Sequence, residues 1–159
     1  MGVNKSEFEA WLRGMQRLQD SLPEILQEIS VGEGVYARDQ ARKICTQEKI
    51  VNLGDYRRNW QSDSIAKKSG KGYYVRFFNP LEYALYLEYG FRSHFVPGHW
   101  EGHTFVYQPG DPEGGMYVGP YGGRVLGYFV MKKATDRTLA TQQARVSRKL
   151  LAALDKRIG

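Results

Sequence analysis

The chain has 159 residues, 42% of them apolar and 25% charged, a mixture that suits one folded domain and excludes a disordered, collagenous or membrane-spanning protein. Its formal charge of +6 is concentrated in the last 30 residues, where Lys132, Lys133, Arg137, Arg145, Arg148, Lys149, Lys156 and Arg157 are offset only by Asp136 and Asp155. A single cysteine, Cys45, excludes an internal disulfide and a two-thiol redox or zinc pair.

No apolar stretch of signal-peptide length opens the sequence, and none nears the roughly 20 residues of a bilayer span, so assembly in a cytoplasm is expected. Ser6 and Glu9 form a capping box that predicts a helix start. Phe8, Trp11, Met15, Leu18, Leu22, Ile25 and Ile29 then recur at three- and four-residue steps, widened by Leu12 and Leu26, which marks one face for burial. The pattern lasts only about three heptads without charge pairing beside it, so packing on its own domain is favoured over a coiled coil. Pro23, just inside a second capping box of Ser21 and Glu24, predicts a second helix from about Pro23 toward Glu48, with a kink or break near Gly32 and Gly34. Cys45, beside Ile44, is expected in the core.

Residues 60–66 and 72–78 read as two strands of a hairpin, joined by a basic turn over Lys67, Lys68, Ser69, Gly70 and Lys71. Asn79-Pro80 ends the second strand, and Gly90 ends a short helical or extended segment in which Glu82 and Glu88 are expected to face solvent. Residues 91–124 hold eight glycines and four prolines, Pro112 among them, around candidate strands at 103–108 and 115–119, a long punctuated connection of the kind that carries function. From about Tyr128 helical spacing resumes through Leu139, Val146, Leu150, Leu151, Leu154 and Ile158, with the basic residues on the other face, toward solvent, an acidic partner or DNA. The expected fold is α+β in a single domain, 1–159. Residues 1–50 are its helical N-terminal part, 54–127 a small antiparallel sheet with the long glycine-rich loop, and 128–158 a C-terminal helix.

Chemistry has few candidates. His94, His99 and His103, with Glu101 and Asp111 nearby, are the residue types of a metal site, and they motivate a rival reading as a metal-dependent hydrolase acting on nucleic acid. Their spacings of five and four within a glycine-rich loop match neither a helical ligand pair nor a zinc knuckle. No phosphate-cradling glycine motif and no nucleophile elbow is present, and a sequence-independent DNA-binding module is the third alternative. We therefore assign no catalytic, cofactor or metal residues. Arg57, Arg58, Phe91, Arg92, His94, Phe95, Trp100, Phe105, Tyr107, Met116, Tyr117 and Tyr121 are read instead as a surface for other proteins.

Three ordered motifs carry a resemblance. Leu53-Gly54-Asp55-Tyr56-Arg57-Arg58-Asn59-Trp60 is similar to a signature that enters a first strand, with Gly54, Arg57 and Trp60 in register and Leu53 in place of the usual threonine. Asn79-Pro80-Leu81-Glu82-Tyr83-Ala84-Leu85-Tyr86-Leu87-Glu88-Tyr89-Gly90 matches a strand end followed by a tyrosine- and alanine-rich element. Gly127-Tyr128-Phe129-Val130-Met131-Lys132-Lys133-Ala134 leads into the last helix. Together they resemble the tail-completion, or gene-ten-product-like, family of minor tail and head-tail joining proteins of tailed phages, over most of the chain. The resemblance implies an α+β fold, no catalytic residues, and a ring, commonly of six subunits, in the virion neck. There it would meet the tail tube protein, the head connector or stopper and a tail sheath, with DNA passing through the lumen unread. The 91–124 loop is longer than the family minimum.

Overall fold

The structure, a computed structural model, describes residues 4–50, 54–111 and 114–158, the side chains of 157 and 158 excepted. Leu53, Pro112 and the side chains of Arg157 and Ile158, all named above, lie outside the described residues. In chain order the elements are α1 (Lys5–Gln47), α2 (Gly54–Arg58), β1 (Gln61–Ser62), β2 (Lys67–Ser69), β3 (Gly72–Tyr74), β4 (Phe77–Phe78), α3 (Ala84–Tyr89), β5 (Gly90–Arg92), β6 (His94–Glu101), β7 (Thr104–Tyr107), β8 (Gly115–Val118), β9 (Arg124–Leu126) and α4 (Val130–Ile158). The class is α+β, with small antiparallel sheets between a long N-terminal helix and a C-terminal helix. Two compact units divide the chain: Met1–Leu81 with Val130–Gly159, and Glu82–Phe129.

In the first unit the two expected N-terminal helices are one. Asn4 caps α1 by accepting the Ser6 amide at 3.2 Å, so Ser6 lies inside the helix instead of capping it. Pro23 sits in the interior, where its missing N–H and its ring cost about 3 kcal/mol, and the second capping box does not form. Ser21 Oγ donates back to the Leu18 carbonyl at 3.1 Å, just before the proline. Just past the proline, buried Ile25 and Ile29 anchor the helix in the core. Gly32 and Gly34 do not break it either. A Cβ on Gly34 would stand 2.7 Å from Val75 Cγ2, so the glycine lets β-hairpin and helix approach. The helix closes on a Schellman turn, with Lys49 at φ 54° and the amide of buried Ile50 reaching the Cys45 carbonyl at 3.0 Å.

Antiparallel to α1 runs α4, tied by Lys133 to Glu48, by Arg137 to Gln47 at 2.9 Å, and by Arg145 to Glu33. Its buried stripe is Val130, Ala134, Thr138 and Arg145, whereas Leu139 and Leu151, expected inside, are exposed. Arg145 is therefore not part of a solvated basic face. Burial works to raise the Glu33 pKa, but hydrogen bonds and charge from Arg145, with Lys149, outweigh it and hold the carboxyl below its usual value. The Arg145 guanidinium also lies 3.6 Å from the centre of the Tyr36 ring.

The predicted hairpin exists in two pieces. Gln61 pairs with Phe78 and Ser62 with Phe77, while Lys67 to Ser69 pair with Tyr74 to Gly72. The turn is thus only Gly70 and Lys71, Gly70 taking φ 58°, and Lys67 to Ser69 are strand. Between the ladders, 63–66 lie opposite Val75 and Arg76, and Asp63 fastens that bulge by accepting the Arg76 amide and Nε, each at 3.0 Å. Those bonds hold the Asp63 carboxyl below its usual range. Beneath them Trp60 and Tyr56 pack edge to face at 5.5 Å, and Cys45 is buried as expected, its thiol pushed up by burial against the pull of the Trp60 indole.

The second unit corrects the expected loop. Residues 103–108 and 115–119 do contain strands, β7 and β8, but β6 pairs with both to make a three-stranded sheet, and β5 pairs with β9. Gly90 ends α3 as predicted and joins it to β5; its φ of 75° and a Cβ position 2.1 Å from the Val125 carbonyl admit no side chain. Glu88 is buried, not solvent-facing.

Candidate functional site

Alternation along β6 sorts the aromatic residues of the second unit onto two faces. Phe95 lies opposite Tyr117 with ring centres 6.0 Å apart, and Tyr117 lies 4.8 Å from Tyr121. On the other face Trp100 lies opposite Phe105 at 5.3 Å, and Tyr107 opposite Gly98. Phe95, Trp100, Tyr107, Tyr117 and Tyr121 are all exposed, whereas Phe105 and Met116 are half-buried. Phe91, also half-buried, lies 6.1 Å from exposed His94, next to exposed Arg92. The Gly residues facing these rings are spacers: a Cβ on Gly115 would stand 2.0 Å from the Phe95 ring. Ten of the twelve expected contact residues thus belong to this unit, and Arg57 and Arg58 to the other.

The histidines do not converge. His99 places Nδ1 3.3 Å from Asp111 and Nε2 3.3 Å from Glu101, so the two carboxylates lie at opposite nitrogens and share no point where one ion could meet both and the ring. His94 Nδ1 lies 3.1 Å from the Arg92 carbonyl, and His103 is in the exposed turn between β6 and β7. Among the described residues no three such side chains are grouped as a metal site.

The first unit has two surface features that the sequence did not single out. Phe8, Trp11, Leu12, Met15 and Leu22, expected as core, are exposed along the N-terminal half of α1, and Leu12, Met15, Leu18 and Leu22 edge a groove with Leu150 and Leu154 of α4. The signal for this was the length of the N-terminal helical stretch, Ser6 to Glu48, which outruns the last helix available to cover it. The other is a concavity of about 540 Å3 lined by Arg42, Lys43, Thr46, Gln47, Arg57 and Arg58. Arg42 and Lys43 escaped notice because nothing in their spacing relates them to Arg57 and Arg58.

A family model described as "Bacteriophage HK97-gp10, putative tail-component" matches residues 12–90, about half of the chain. The chain belongs to this HK97-gp10-like family. No curated protein and no solved structure gives a match. The matched span takes in most of α1, α2, the hairpin and α3, including Arg57, Arg58 and the Asn79-Pro80 strand end. Asn79 itself is a structural clamp, donating from Nδ2 to the Tyr56 carbonyl at 2.7 Å and accepting the Leu81 amide at 3.2 Å. An HK97-gp10-like chain is a structural component of the phage tail and so of the virion. Among the described residues, no helix is long and apolar enough to cross a membrane.

Proposed function

We propose that this HK97-gp10-like chain is a neck subunit that forms a ring, commonly of six copies, caps the tail tube and joins it to the head connector. The observation that carries the reading is the three-stranded sheet with exposed aromatic side chains on both faces. Subunits in a ring meet head to tail through two different patches, one on each side. A sheet with Phe95 and Tyr117 on one face and Trp100 and Tyr107 on the other supplies two patches of the chemistry that interface cores favour. Arg57 and Arg58 add a charged contact for a neighbouring tail or connector protein.

Sedimentation velocity with negative-stain microscopy tests this. A closed ring in solution, or the protein found at the neck of purified particles, is the expected result. A monomer at high concentration that is also missing from particles overturns it.

A further inference from the structure

The concavity between the last turns of α1 and α2 contains four cations, of which, among the described residues, only Arg58 faces a carboxylate, that of Asp55. Arg42 is held by main chain: its Nη2 donates to the carbonyls of Arg58 at 3.3 Å and Trp60 at 2.8 Å. Its buried Nε has no hydrogen-bond partner among the described residues. Arg57 is tethered through Nη1 to Thr46 Oγ1 at 3.3 Å, a neutral acceptor. Gln47 uses Oε1 to accept from Arg137, which leaves its amide N–H groups as donors. Two guanidinium groups are thus fixed in place without being neutralised, beside Lys43, which has no ion pair among the described residues. Elsewhere in this unit Arg38, Arg76, Lys132, Lys133, Arg145 and Lys149 each have a carboxylate, whereas exposed cations such as Arg13, Arg17, Lys67 and Lys68 have no ion pair among the described residues, so what sets the pocket apart is that its cations are gathered in one concavity.

We propose that this pocket is a docking site for an aspartate or glutamate side chain on an acidic segment of another protein, an inference that rests on reading the chain as an assembly subunit. The Arg57 guanidinium, held through Nη1 alone, keeps its Nε–Nη2 edge as a fork that suits the planar, bidentate geometry of a carboxylate, while Arg42, whose Nη2 is committed and whose Nε is buried, and Lys43 add positive charge beside it. The pocket is a notch that accommodates one or two side chains. A DNA duplex presents its charge continuously, roughly every 1.7 Å of axis, and is met by extended rows of cations. Among the described residues no aromatic side chain lines the pocket to stack on an unpaired base.

The test titrates the full-length chain with a hexaglutamate peptide, following the arginine Nε–H resonances and the heat of binding. Saturable binding that shifts the Arg42 and Arg57 signals and weakens as salt rises from about 50 to about 300 mM is expected. Arg57→Ala and Lys43→Ala should each weaken it roughly tenfold, with Arg57→Lys in between because it keeps charge and loses the fork. Arg13→Ala, outside the pocket, should change nothing. Unaltered peptide binding in the Arg57 and Lys43 variants, with wild-type melting curves, overturns the assignment. So does a short DNA duplex that binds more tightly than the peptide and is released by the same substitutions. Sedimentation of the wild-type chain and its presence in particles are read separately: rings with a pocket blind to the peptide sink only this proposal, and a monomer missing from particles that binds the peptide through these residues sinks only the ring.

Discussion

Glu33 and Arg145 meet inside the first unit, where each charge alone would be expensive to desolvate and the pair survives because it is doubly hydrogen-bonded. Removing one partner leaves the other buried and unpaired. Glu33→Gln should therefore cost about 3 kcal/mol at neutral pH, seen as a melting temperature lower by roughly 10 °C. The pH profile carries a second signature. Because Arg145 and Lys149 hold the folded-state Glu33 pKa below its unfolded value, the contribution is complete above about pH 4.5 and is lost as pH falls through the folded value. Acid titration of melting temperature should show the wild type losing this increment below about pH 4.5, so that its lead over Glu33→Gln narrows. A lead that stays constant into acid would contradict the assigned pairing.

At the scale of elements, the apolar stripe of α1 is one pattern with two fates. At 1.5 Å per residue the 43 residues of α1 reach about 65 Å, and the 29 of α4 about 44 Å, so the antiparallel partner ends before α1 does. Ile29, at 7% exposure, lies in the covered half, and Trp11, at 58%, in the uncovered half. Ile29→Ala should cost about 2 to 5 kcal/mol in a denaturant melt, while Trp11→Glu should leave the midpoint within about 0.5 kcal/mol of wild type. Periodicity made the helix legible, along with the hairpin, the Asn79-Pro80 strand end, the Gly90 stop and the last helix. It could not say which turns have a neighbour, because that depends on a chain segment more than a hundred residues away. The same limit hid the buried ion pair: Arg145 looks like any helical arginine until Glu33 is placed beside it. Pro23 misled because a local rule for helix starts competes with tertiary burial of Ile25 and Ile29, and burial won. The aromatic residues of the second unit were legible by type, but their division between two sheet faces needed the register of β6.

Over the whole molecule, the glycine-rich stretch is a folded unit with its own sheets, and its glycines mark places where backbones touch. Gly90 is the sharpest case, combining a positive φ with the Val125 carbonyl where a Cβ would go. Gly90→Ala should strip hydrogen-exchange protection from the β5 and β9 amides by at least tenfold while the amides of α1 and α4 keep theirs. Equal loss in both units would mean that the glycine supports more than its own ladder. The discontinuity of the first unit bears on how the molecule is made. Its helical half leaves the ribosome first, then the whole of the second unit, and only then α4. At about 5 to 20 residues per second, the nascent chain waits several seconds with Glu33 uncompensated and the face of α1 that packs on α4 uncovered. A chain stalled before Val130 has the profile that holdase chaperones and quality-control proteases engage, so only finished polypeptides present a settled α1 to whatever they join.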